Sequence, residues 1–249
     1  MGRETVEIRT VEGTCPAHVF TPELAGPHPG AILYMDGLGM RPTIQAMGQR
    51  LAGHGYVVLV PDMFYRAGPY APLDPKAVFA SGNVTKEIGH LFGSTDNHRA
   101  AQDSAAFLDY LGSRADVAGD RVGVTGYCMG GGHALTVAGT YPDRVAAAAA
   151  FHTSNIATDS PLSPHLLVPR LRARVYIGGA DHDQGYPPEM AQRFEAALTD
   201  AGVEHRCEIY PDARHGFTMT DFPVYDEAAA ERHWRELVAL FDATLAPAA

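Results

Sequence analysis

The stretch TGYCMGG (125–131) sets Cys128 midway between Gly126 and Gly130, directly after the apolar run RVGVT. A strand that turns sharply into a helix at a nucleophile needs very small neighbours two residues on either side, and this spacing supplies them. The helix N-terminus beyond the turn favours negative charge, which suits both a thiolate and a developing oxyanion. The backbone N–H of Met129, first after the thiol, is the expected first oxyanion donor. The competing reading is a glycine-rich turn with an incidental cysteine.

A nucleophile of this kind needs an imidazole to carry its proton and a carboxylate to orient the imidazole. Chain order on such folds is nucleophile, acid, histidine, with acid and histidine on loops after later strands. RVYIG runs into GADHD, where Asp181 is the first carboxylate after the glycines; CEIYP runs into DARHGF, which holds His215. The expected catalytic set is therefore Cys128, Asp181 and His215. Asp183 is the rival acid, read here as better suited to capping a helix near 188. A second oxyanion donor is expected after AILYMD, from the N–H of Gly37 or Leu38. Asp36 precedes that loop: beside a thiol it would raise the thiol pKa and hold it neutral, a thiol-modulating role. Its alternatives are capping the helix opened by RP or pairing with an arginine.

These residues need a scaffold, and the hydrophobic pattern describes one. TVEIRT and TCPAHVF read as an opening hairpin. GAILYMD (30–36), YVVLVPD (56–62), RVGVTGY (121–127), VAAAAAF (145–151), RVYIGGA (174–180) and HRCEIYP (205–211) read as buried strands. Helices are expected over 42–54, 96–112, 130–140 and 188–201, and along the apolar stripe Ala230, Trp234, Leu237, Val238 and Phe241. About eight strands alternating with helices predict one α/β domain over the whole chain, its mostly parallel sheet covered on both faces. Residues 63–95, rich in Gly and Pro, are expected to form an irregular cap or a packed surface excursion.

At 249 residues the chain can bury a large core, and its net charge of −10 comes without a basic block. Nucleic acid is therefore not an expected partner. No apolar run approaches a membrane span, and the polar start MGRETVEIRT reads as no signal peptide, so a cytoplasmic protein is expected. The three cysteines, Cys15, Cys128 and Cys207, lack CxxC spacing, which argues against a disulfide framework or thiolate zinc site. Cys15 and Cys207 are expected to be buried, inert thiols. No metal or other cofactor is expected.

GVTGYCMGG, GGADHD and HGF, with YMDGLG and GYVVLVPD upstream, resemble the dienelactone hydrolases (carboxymethylenebutenolidases) of the α/β-hydrolase fold. The likeness runs from about residue 5 to 245, and the cysteine elbow is its most specific part. It implies a metal-free opening of an enol-lactone through an acyl-enzyme, with Cys128 as nucleophile, His215 as base and Asp181 as orienting acid. The family carries a glutamate at the position of Asp36, one methylene longer, thought to bond the resting thiol. Lactone-degrading members also carry an arginine shortly after the histidine; here HGFTMT offers Thr218 and Met219 instead. Arg66 or Arg214 are the possible substitutes, and Tyr65, Tyr127, His152, Phe217 and Met219 are expected pocket-lining residues. Core packing is the alternative for each of those five.

The function expected on these grounds is hydrolysis of a small ester or lactone through a thioester, by a monomer or small homo-oligomer without membrane attachment. The alternatives are a non-hydrolytic isomerase or lyase using the same pocket, and a redox-sensing binding protein.

Overall fold

The computed structural model describes residues 2–245. The chain opens with the antiparallel pair β1 (Gly2–Arg9) and β2 (Thr14–Thr21). There follow β3 (His28–Tyr34), α1 (Pro42–Gly53) and β4 (Val57–Pro61). After a 3-10 turn at Tyr65–Ala67 come α2 (Pro75–Ala80), α3 (Val84–Phe92) and α4 (Asn97–Gly112). The second half runs β5 (Val117–Tyr127), α5 (Met129–Thr140), β6 (Val145–Phe151), β7 (Arg174–His182), α6 (Pro188–Asp200), β8 (His205–Arg214) and α7 (Glu227–Leu245).

The strands form one eight-stranded sheet in the order β1-β2-β4-β3-β5-β6-β7-β8, parallel from β4 to β8. From β3 the chain first steps to β4 on one side and later to β5 on the other. Open α/β sheets bind ligands at such a reversal, outside the carboxyl ends of the strands. The ends of β3 and β5 meet there, bringing Asp36 and Gly37 toward Cys128.

Every residue of β4 and β6 is buried, as a strand covered on both faces requires. α5 is buried along Gly130–Gly139, so its apolar character runs all round rather than along a stripe. A rigid, buried helix thus begins at the thiol. No described helix is long and apolar enough to cross a membrane.

The expected strands and helices all occur, but residues 63–95 are more ordered than their composition suggests. Asp74 caps α2 with Pro75 in its first turn, and Asn83 caps α3, each side chain accepting the N–H of a lysine at 3.0 Å. The segment ends against the site, with Phe92 closing α3 and Asp96 capping α4 through the Arg99 N–H at 2.8 Å.

Candidate active site

Cys128 takes φ 54° and ψ −118°, a left-handed conformation that side chains larger than glycine rarely adopt. The bend is held by its own N–H, which donates to Phe151 O at 3.1 Å, and by Thr153 Oγ1, which donates to Cys128 O at 3.1 Å. The flanking glycines are sterically required. A Cβ on Gly126 would collide with the Gly130 carbonyl, and one on Gly130 would strike the backbone of Tyr34 and Met35, its Met35 O contact being 2.5 Å. The elbow is therefore clamped between β3 and β6, with the thiol half-exposed at the start of α5.

His215 follows β8 directly, and its Nδ1 lies 2.7 Å from Asp183 Oδ2. Asp183 Oδ1 accepts the Gly185 N–H at 2.8 Å, which fixes the carboxylate's orientation. Burial alone would depress the His215 pKa. The hydrogen bond to Asp183 and the interaction with the Cys128 thiol, together with their negative charge, outweigh it and push His215 up to about 10. Carboxylate, imidazole and thiol thus make a chain of interactions, its first link the 2.7 Å hydrogen bond and its second electrostatic.

The carboxylate in that chain is Asp183, where Asp181 was expected. β7 does not stop at Ala180; it continues through His182, so Asp181 is an exposed strand residue. Its Oδ2 accepts the Asp212 N–H at 3.3 Å instead. The sheet register supplies the reason. Ala180 pairs with Tyr210 but His182 pairs with Arg214, so β8 spends two extra residues across a bulge where Asp212 has φ 59°. The next residues beyond the shifted pair are Asp183 and His215. Asp183 does not cap α6 either, because Pro187 occupies that cap position.

Asp36 is likewise not placed to govern the thiol. It is buried and held bidentately by Arg41, at 2.6 Å and 2.8 Å, while its Oδ1 also accepts the Leu38 N–H at 2.9 Å. Both carboxylate oxygens are thus taken by the guanidinium. Arg41 also donates to Asp221 at 2.7 Å and 3.2 Å, tying the loop after β3 to the segment after His215. Leu38 is thereby spent as an oxyanion donor. Among the described residues, the N–H groups of Gly37 and Met129 have no backbone or side-chain acceptor.

A cavity of about 480 Å³ opens beside the thiol, lined by Phe92, Thr95, Asp96, Asn97, Cys128, Met129, Gly132, His133, Ser154 and Asn155. None of the seven expected substrate contacts lines it, Arg214 being an exposed residue at the end of β8. Tyr65 bonds Thr10 and Asp103, and Arg66 pairs with Asp103 and Glu12, both beneath the opening hairpin. Tyr127 stacks on Phe151 and bonds His233 inside the core. His152 is fully buried behind His215, ring centroids 5.2 Å apart, with Nε2 2.7 Å from Thr218 Oγ1. Phe217 and Met219 are fully buried as well. The true lining comes from the 92–97 turn and the loop after β6, and the polar run STDN (94–97) was the available signal.

Burial raises the thiols of Cys15 and Cys207, the latter to about 12, although Cys207 is only partly buried. On the β7–β8 edge Asp181, His182 and Asp212 bring one ligand atom each within 4.8 Å of one another, all three residues being exposed.

Residues 15–245 match the model of the dienelactone hydrolase family. The chain belongs to that family. A Synechocystis relative named "Putative carboxymethylenebutenolidase" is 26% identical over 97% of this chain and 99% of its own length. A Methylorubrum extorquens relative of the same name is 28% identical over 93% of this chain and 78% of its own. A Klebsiella pneumoniae crystal structure named as a "Putative Dienelactone Hydrolase" superposes with a TM-score of 0.82 at 22% identity, covering 96% of this chain and 98% of that one. The sheet order above is thus the α/β-hydrolase fold, and the protein is a hydrolase-family member whose elbow carries cysteine.

Proposed function

We propose that this dienelactone hydrolase family member is a cysteine hydrolase of small esters or lactones that works through a thioester. The observation that carries the reading is the chain of interactions Cys128–His215–Asp183 at a strained strand-to-helix elbow. Cys128 passes its proton to His215, and the thiolate attacks the substrate carbonyl, forming a C–S bond. The N–H groups of Met129 and Gly37 receive the oxyanion. Collapse breaks the C–O bond, and the leaving alkoxide takes the proton from His215. Neutral His215 then draws a proton from water, whose oxygen displaces sulfur and releases the acid. For a lactone the alkoxide stays tethered in the product.

Asp183 acts by holding the Nδ1–H side of the imidazole, leaving Nε2 to face the sulfur, and by favouring the imidazolium. Three free thiols suit a reducing compartment, in keeping with the expected cytoplasmic location. The test is mass spectrometry of the protein quenched during turnover of 4-nitrophenyl acetate. A 42 Da acetyl adduct on Cys128, about 42 Da by composition and absent from Cys128→Ala, is expected alongside a loss of roughly 10³-fold or more in kcat/KM. Equal turnover by the two proteins overturns the assignment.

A further inference from the structure

The cavity beside Cys128 has a distinct chemical character. Among the described residues that line it there is no lysine or arginine, and the one charged group is the carboxylate of Asp96. The neighbouring arginines are otherwise engaged. Arg41 is 1% exposed and held by Asp36 and Asp221, whereas Arg99 donates to Gly93 O at 3.2 Å and lies 3.9 Å from both Asp96 and Glu12. A substrate carboxylate would find no lysine or arginine on this lining and would face the like charge of Asp96.

Beside Phe92, Met129 and Gly132, which supply the apolar part of the lining, the remaining side chains around the thiol are polar and uncharged: Thr95, Asn97, His133, Ser154 and Asn155. Thr95 and His133 are more than nine-tenths buried, and Thr95 Oγ1 and His133 Nδ1 have no hydrogen-bond partner among the described residues. Burial pushes His133 down to about 4, so its ring is neutral and carries one donor and one acceptor. The Asn97 carboxamide lies over the first turn of α5, so close that a Cβ on Gly132 would meet its Oδ1 at 2.8 Å. Hydroxyl, imidazole and amide each offer both halves of a hydrogen bond. A carboxylate can only accept; an alcohol gives and takes.

We propose that the Thr95–Asn97–His133 wall recognises an uncharged hydroxyl on the acyl portion of the substrate, so that the site takes neutral oxygenated esters or lactones and rejects carboxylate-bearing ones. The inference rests on the hydrolase reading above and adds its substrate class. Asp96 enforces the rejection, and the polar wall supplies the preference. Such a site gains selectivity because an analogue lacking the hydroxyl leaves buried polar atoms unpaired.

The experiment compares three matched aryl esters, 4-nitrophenyl 3-hydroxybutyrate, butyrate and hydrogen succinate, after subtraction of spontaneous hydrolysis. The expected order of kcat/KM is hydroxybutyrate, butyrate, succinate, with about tenfold or more between first and last. Thr95→Val should lower the hydroxybutyrate-to-butyrate ratio about tenfold, mainly through KM. Asp96→Asn keeps a capping side chain and should raise the succinate-to-butyrate ratio several-fold at low salt, less at high salt. Succinate hydrolysed as fast as hydroxybutyrate, or ratios unmoved by both variants, overturns the substrate class while leaving the hydrolase reading intact. No turnover of any ester, and no adduct on Cys128, overturns the hydrolase reading itself.

Discussion

Asp36 and Asp183 occupy comparable places: each is a buried carboxylate just beyond the end of a parallel strand, and each is bonded to a cation. Their partners separate them. Arg41 is permanently charged and grips both oxygens of Asp36, making a fixed strut between the loop after β3 and the segment after His215. His215 can lose or gain its proton, and it interacts with Asp183 on one side and Cys128 on the other. A carboxylate facing a guanidinium can only hold a position. One facing an imidazole can steer a proton.

The sharpest way to break this contrast is to neutralise the two neighbouring acids of GADHD in turn. Asp183→Asn should cost about 10³–10⁴-fold in kcat/KM for an aryl ester, because the orienting charge on His215 is lost. Asp181→Asn, at an exposed strand position, should stay within about threefold by the same logic of distance from the reacting atoms. The reverse ranking would return the acid's role to Asp181.

Removing the other cation should act on stability first. Arg41→Met leaves Asp36 buried and unpaired, a loss of about 3–5 kcal/mol in urea unfolding. Adding Asp36→Asn should recover part of it, since no charge is then left behind. No recovery in the double variant would mean that Arg41 matters through packing, for example against Phe222 at 5.2 Å, rather than through its charge.

The smallest effect concerns pH. Burial holds His233 near 3 and His133 near 4, below the ordinary histidine value, while His152 is also driven well down by burial. A depressed folded pKa means that the unfolded chain binds protons first. Stability is therefore complete above about 6.5 and falls as pH drops toward the folded values. His233→Gln should flatten that acid loss by on the order of 1–2 kcal/mol between pH 6.5 and 5, read from melting temperatures. His215 has the opposite sign: its contribution is full below about 6.5 and disappears as pH rises through about 10. The Arg41 strut should show neither slope. A steep pH dependence that Arg41→Met abolishes would dissolve the distinction between the two pairs.

The strands and helices were legible because buried parallel strands read as unbroken apolar runs and their helices as 3.6-residue stripes. VAAAAAF is buried throughout as a run of that kind demands, and Gly126 and Gly130 lie against backbone as the elbow spacing implies. The 63–95 segment holds more helix than its Gly and Pro content suggests, and Asp74–Pro75 and Asn83 are ordinary helix-start signals for it. Asp183 escapes any reading that ends β7 at its last apolar residue, Ala180. Nothing local marks that β7 continues for two polar residues.

The sequence by itself determined which chemistry was available: a cysteine between two obligatory glycines, carboxylates and a histidine in order behind it, and strands to carry them. These are local matters of steric space and periodicity. Only the tertiary structure decided which groups meet. A two-residue bulge in β8 sets His215 opposite Asp183, and Arg41 reaches back five residues to take Asp36. The turn at 92–97 forms the cavity wall in place of the aromatics buried beneath it. Register and side-chain competition depend on neighbours distant in the chain, so composition and spacing do not encode them in readable form.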